Sequence, residues 1–78
     1  RNNMNKAEFI AKFKDVLQRD EEINEEMHLD DIIEYDSMSQ LNVVVLIDTE
    51  FGILITPEDL DECEKVKDII LLLGDNVI

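Results

Sequence analysis

The chain has few residues that could form covalent or metal cross-links. Cys63 is its only cysteine and His28 its only histidine. No internal disulfide can therefore form, and no cysteine–histidine cluster has the spacing of a zinc site. We expect no bound metal and a reducing, cytoplasmic location. Because no basic residue lies immediately beside Cys63, we interpret it as a packing residue and not a reactive thiol.

Long apolar runs are missing as well. The longest are Val43 to Ile47 and Ile69 to Leu73, whereas a membrane-spanning helix needs roughly 20 apolar residues. The N-terminal residues lack the apolar core of a secretory signal. We therefore predict a soluble protein without stable membrane insertion.

Positive charge is absent from the middle of the chain. Sixteen carboxylates lie between Asp20 and Glu64, an interval without Lys or Arg, and the net charge is −13. This charge repels nucleic acids and anionic lipids and favours encounter with basic protein surfaces. The apolar fraction of 45% is nevertheless ordinary for a folded domain. The composition predicts a globular protein with protein partners and no nucleic acid.

A chain of 78 residues is long enough for one small domain. We assign that domain to residues 4–74 and expect a monomer. Residues 75–78 are interpreted as a C-terminal tail, and residues 1–3 as a cloning remnant, a disordered N-terminus or native sequence. An acidic loop from Asp20 to Tyr35 is predicted inside the domain, with Leu29 and Ile33 holding it down.

Apolar periodicity and capping residues predict four helices. The first runs from about Asn5 to Arg19. The second runs from Ser37 to Phe51, where Gly52 stops it, although the valine-rich centre also permits a strand. A short third helix starts at Thr56-Pro57, and a fourth carries an apolar stripe from Val66 and ends at Gly74. The predicted fold is all-α, a small four-helix bundle of three longer helices and one short one.

The tripeptide Asp36-Ser37-Met38 marks the start of the second helix. Ser37 is an improbable hydrolase nucleophile because the chain has one histidine and no glycine-rich elbow around the serine. At a helix start, unpaired N–H groups and the helix dipole favour an attached phosphate. A simpler interpretation, in which Asp36 and Ser37 are only an N-cap pair, stays open at this point.

The wider pattern resembles acyl carrier proteins. The resemblance extends from about Met4 to Leu73 and includes Asp36-Ser37-Met38, the Val/Leu/Ile helix ending in Glu50-Phe51-Gly52-Ile53, and Thr56-Pro57-Glu58-Asp59-Leu60. It implies a non-catalytic carrier in which Ser37 holds a phosphopantetheine arm. A separate phosphopantetheinyl transferase supplies the arm from coenzyme A, and the arm's thiol holds acyl groups as thioesters for fatty-acid or related biosynthesis.

Several residues depart from the pattern of fatty-acid carriers. Glu34-Tyr35 replaces the usual Gly-Ala before the aspartate, and Met38 replaces leucine. Ser39 and Asn42 stand where acids are common, although an acid returns at Asp48. An Asp-Ser-Met sequence is also similar to aminoacyl carriers such as those for D-alanine, so an aminoacyl or peptidyl carrier of a dedicated pathway remains an alternative.

Two further sets of residues follow from the helical face and the resemblance. If Val43, Ile47 and Phe51 face inward, part of the opposite face is exposed for partners; these partner-binding candidates are Met38, Asn42, Val45 and Asp48. The resemblance also implies an acyl chain between the helices, with Val43, Ile47, Ile55, Leu60 and Ile70 as lining candidates. Ordinary core packing is the alternative for the lining residues, and also for Met38 and Val45.

A different functional class also fits the composition. Asp48 to Gly52 superficially resembles a calcium-binding loop, but Ile53 stands where its glycine is required. An unmodified acidic interaction domain needs no special role for Ser37 and stays open on sequence alone.

Overall fold

The computed structural model describes residues 3–78; Arg1 and Asn2, two of the three residues assigned to the N-terminal segment, lie outside the described residues. Within this range the chain forms four α-helices and no β-strand. They are α1 (Lys6–Leu17), α2 (Ser37–Phe51), α3 (Pro57–Asp61) and α4 (Val66–Leu72), with 3₁₀ turns at Leu29–Asp31 and Gly74–Asn76. The predicted small four-helix bundle, with a short third helix, is confirmed.

Helix α1 begins and ends at clear local signals. The Asn5 side chain accepts a hydrogen bond from the Glu8 N–H at 2.8 Å, and the Asn5 N–H donates to Glu8 Oε1 at 3.0 Å, which forms a capping box. The helix ends where Gln18 adopts a left-handed backbone with φ of 56°. Because that conformation stops the hydrogen-bond ladder, the helix ends two residues before the predicted Arg19.

The valine-rich segment is helical and not a strand, because it lies within α2. Val43, Ile47 and Phe51 are buried and share one face at intervals of four residues. The Phe51 ring lies 6.4 Å from Phe9, which in turn stacks on Phe13 at 6.0 Å. Aromatic packing between α1 and α2 therefore forms the centre of the core.

The loop that joins α1 to α2 is anchored differently from the prediction. Leu29 is buried as expected, but Ile33 is 90% exposed, so the assignment of Ile33 as an anchor is wrong. Ile23 and Ile32 are buried instead. The 3₁₀ turn Leu29–Asp31 places Ile32 inward and turns the next side chain outward. Helical or strand periodicity does not apply to irregular backbone, so it cannot tell which of two adjacent isoleucines is buried. The prediction therefore selected Ile33 where the structure buries Ile32.

Backbone hydrogen bonds tie this acidic loop to the start of α4. The Leu29 N–H donates to the Glu64 carbonyl at 2.8 Å, and the Val66 N–H donates to the Met27 carbonyl at 3.1 Å. The Lys67 N–H reaches the Glu25 carbonyl at 2.9 Å. The long connection is therefore a fixed part of the fold.

The packing continues beyond residue 74. Val77 is buried and forms a bridge with the buried Met4. The Met4 N–H donates to the Asn76 carbonyl at 3.1 Å, and the Ile78 N–H donates to the Met4 carbonyl at 2.9 Å. Val77 thus belongs to the hydrophobic core. In the part of the chain described, no helix is long and apolar enough to cross a membrane.

Candidate functional site

Ser37 is the first residue of α2, and its side chain is exposed. Asp36 precedes it in extended conformation as the N-cap, with φ of −138°. Among residues 3–78 the Ser37 hydroxyl makes no hydrogen bond. The hydroxyl is therefore accessible and free of hydrogen bonds within the described residues.

The next serine has the opposite role. Ser39 is buried, and its Oγ accepts a hydrogen bond from the Asp36 N–H at 2.7 Å and donates one to the Asp36 carbonyl at 3.0 Å. The Asp36 carboxylate accepts in return from the Ser39 N–H at 2.9 Å. These contacts form a reciprocal capping box that fixes the backbone on both sides of Ser37.

Sequence reasoning missed this role of Ser39. It treated the residue only as the replacement of an acid. The signal was available, since a helix N-cap is often paired with a polar side chain three residues later. Asp36 and Ser39 have that spacing.

Two opposite charges act at the start of α2: the unpaired N–H groups of the first turn are positive, and the side chain of Asp36 is negative. The first intrahelical donor is the Gln40 N–H, which bonds the Asp36 carbonyl at 2.9 Å, so the N–H groups of Ser37 and Met38 precede the helical ladder. No acidic residue occupies the first turn. The Ser39 N–H holds the pKa of the Asp36 carboxyl below its usual range, so Asp36 is an anion at neutral pH.

The predicted partner-binding residues lie on the outer face of α2. Met38 is 76% exposed and Val45 is 61% exposed, and Asn42 and Asp48 are exposed as well. Leu41, which the sequence reasoning did not select, is also exposed. A shallow cleft of about 430 Å³ runs beside this face, where α2 meets the end of α1; its lining residues are Asp15, Val16, Gln18, Asn42, Val45, Leu46 and Thr49.

The predicted acyl-lining residues lie in the core. Val43, Ile47, Leu60 and Ile70 are buried, and Ile55 is half-buried. None of the five lines the cleft beside α2 or the second cleft, of about 450 Å³, between α1 and residues 22–25. Four of these side chains belong to the hydrophobic core, and Ile55 packs against it.

Other reactive groups are not assembled into a centre. Burial and neighbouring acids raise the pKa of the Cys63 thiol to about 11, which leaves it protonated and weakly nucleophilic. Within residues 3–78, no three His, Cys, Asp or Glu side chains are grouped so as to hold a metal ion.

Comparison with known protein families gives a match over most of the chain. The family described as "Phosphopantetheine attachment site" matches residues 7–73, which include Ser37 and the whole of α2. No curated protein and no solved structure matches the chain. Because the match covers most of the sequence, the chain belongs to the phosphopantetheine attachment site family and is a carrier protein with covalently attached phosphopantetheine.

Proposed function

We propose that Ser37 holds the phosphopantetheine and that the protein carries acyl groups on it as thioesters to enzymes of fatty-acid or related biosynthesis. The main support is the Ser37 hydroxyl, which is exposed and free of hydrogen bonds among residues 3–78, at the first position of a capped helix. The other serine, Ser39, is committed to the cap. Ser37 is thus the better attachment site by accessibility as well as by motif.

Loading is a substitution at phosphorus. The Ser37 oxygen attacks the phosphorus of coenzyme A that bears pantetheine and forms a new O–P bond. The pyrophosphate P–O bond from that phosphorus to the adenosine side breaks, and adenosine 3′,5′-bisphosphate leaves. The hydroxyl proton must pass to a base. Asp36 is a poor base because its carboxylate accepts the Ser39 N–H and has a lowered pKa. We therefore assign the base to the phosphopantetheinyl transferase.

The residues around Ser37 fit a phosphodiester. The N–H groups of the first turn and the positive end of the α2 dipole stabilise an anion at this position, whereas the ionised Asp36 opposes it. When attached, phosphopantetheine supplies a terminal thiol that forms the thioester. The chain's own contribution is to present the hydroxyl and to hold the helix start in one geometry.

The charge and shape of α2 support a class of partner. Exposed Met38 and Val45 offer apolar contact, and Asn42 and Asp48 lie on the same exposed face. With a net charge of −13, the protein attracts transferases and acyl-handling enzymes that have basic surfaces. The single cysteine, with its protonated thiol, is consistent with a reducing cytoplasm.

Burial of the acyl-lining candidates favours a second candidate, an aminoacyl, D-alanyl or peptidyl carrier. Four of the five acyl-lining candidates are buried in the hydrophobic core and line neither cleft, so a long apolar chain must displace core contacts to enter. A small polar cargo can remain in solvent without that cost. The two candidates differ only in cargo, because both use Ser37 in the same way.

Intact-protein mass spectrometry tests the attachment. The protein is incubated with coenzyme A and a broad-specificity phosphopantetheinyl transferase, and one phosphopantetheine should add to wild type and to Ser39→Ala but not to Ser37→Ala. No addition to wild type with several active transferases would instead support an unmodified interaction domain. The mass of protein isolated from its source would then separate acyl from aminoacyl cargo.

A further inference from the structure

Arg19 is a buried cation beneath the loop that leads to Ser37. Its side chain is only 8% exposed, and Nη1 lies 2.8 Å from Glu34 Oε1. Nη2 lies 3.4 Å from Glu21 Oε1. The Nε atom is buried and has no hydrogen-bond partner within the described residues.

Glu34 belongs to the segment that turns directly into α2. The Tyr35 N–H donates to the Ile32 carbonyl at 3.0 Å, and Glu34 lies two residues before the N-cap Asp36. The Tyr35 ring packs 6.1 Å from Phe13 of α1. The Arg19 hydrogen bond also lowers the pKa of Glu34, so the pair is ionic at neutral pH. The end of α1 thus holds the entrance to α2 through one ionic and one aromatic contact.

Stability alone gives no strong reason for an arginine here. A buried charge loses hydration, and an unpaired Nε leaves part of that loss uncompensated. An apolar side chain of similar length often replaces a buried ionic residue with little or no loss of stability. An arginine at this position is better explained by the geometry that its contact with Glu34 imposes.

We propose that Arg19 is a positioning residue for the modification of Ser37, because its contact with Glu34 fixes the segment that presents the Ser37 hydroxyl. The proposal rests on Ser37 as the attachment site. The Asp36–Ser39 capping box makes residues 36–39 one rigid unit, so a shift at Glu34 is passed on to Ser37. Displacements near 1 Å at a reacting atom can lower a rate on the order of a hundredfold.

Loading kinetics of Arg19→Met, with Lys12→Met as control, test this role. Each substitution removes one positive charge from α1 or its end. Lys12 faces Glu50 at 3.8 Å, at the opposite end of α2 from Ser37. For Arg19→Met we expect the transferase kcat to fall by about tenfold or more, with KM for the carrier little changed because the α2 surface is intact. Lys12→Met should load like wild type, and Arg19→Lys should be intermediate.

Amide hydrogen exchange of the unloaded protein gives a second, independent measurement. Exchange at residues 34–39 should accelerate in Arg19→Met and stay unchanged in Lys12→Met. The proposal is overturned if exchange there matches wild type, if kcat is retained, or if the loss appears in KM alone. If Arg19→Met does not fold, the same criteria apply to Arg19→Lys. Failure of wild type to accept the group would refute the attachment at Ser37, while the exchange measurement would still decide whether Arg19 fixes the segment.

Discussion

Replacement by alanine should lower the free energy of unfolding at only one of the chain's two serines, Ser39. In Ser39→Ala the Asp36 N–H loses its acceptor at 2.7 Å, and the Asp36 carbonyl loses the hydroxyl that donates to it at 3.0 Å. The Asp36 carboxylate still caps the helix, so the loss comes from the partly buried Asp36 N–H, which is left unpaired. An unpaired buried donor costs about 1–3 kcal/mol, and we expect about 1.5–2 kcal/mol here. The better helix propensity of alanine returns roughly 0.5 kcal/mol.

The expected net loss for Ser39→Ala is therefore about 1–1.5 kcal/mol in the free energy of unfolding. For a domain of this size that lowers the melting temperature by about 5–10 °C. Ser37→Ala removes an exposed hydroxyl that bonds nothing among residues 3–78, so its change should stay within about 0.5 kcal/mol.

Urea unfolding of the unloaded proteins, followed by circular dichroism at pH 7, measures both changes. The two variants should share the wild-type m-value, since neither alters the surface exposed on unfolding. An equal loss of stability in Ser37→Ala would refute the reasoning, because the Ser37 hydroxyl would then be part of the helix start and not free for modification.

Three further outcomes are expected. Val45→Glu should slow transfer to a partner enzyme while its thermal melt stays close to that of Val45→Thr, an uncharged control of the same shape; equal losses in both assays would contradict an exposed contact. Gln18→Gly should raise the free energy of unfolding by about 0.5–1 kcal/mol, because glycine adopts a positive φ without strain, and an unchanged urea midpoint would contradict this. Asp36 has a lowered folded-state pKa, so its stabilisation is complete above its unfolded pKa and is lost as pH falls through the folded value. Asp36→Asn is the control, because all its other charges are those of wild type. The difference in free energy of unfolding between wild type and Asp36→Asn should therefore shrink below about pH 4, and urea titrations at several pH values measure that difference.

The helices were predictable because their limits depend on local chemistry. Asn5, Asp36 and Thr56 each cap a helix in the structure, and polar capping residues can be recognised from a few neighbours. The inward positions of α2 followed from spacing alone. Position and accessibility of Ser37 were predictable for the same reason, since the first residue after an N-cap lies at a helix start.

The rest depended on contacts between distant segments. Ile32 and Ile33 are equally apolar, and only the 3₁₀ turn and the pairing with α4 decide which is buried. The Arg19–Glu34 contact spans 15 residues through irregular backbone. No periodicity describes such a segment, so neither feature could be predicted from the sequence pattern.

The pairing of Met4 with Val77 brings the first and last described stretches of the domain side by side. A short linker between them could therefore close the chain into a ring, and new ends could be opened elsewhere on the surface. If the new ends lie outside residues 19–51, the permuted protein keeps Arg19, Glu34 and Ser37 in one uninterrupted segment. Truncation after residue 74 should destabilise the domain. It removes the buried Val77 and leaves the N–H and the carbonyl of Met4 without their partners in Asn76 and Ile78.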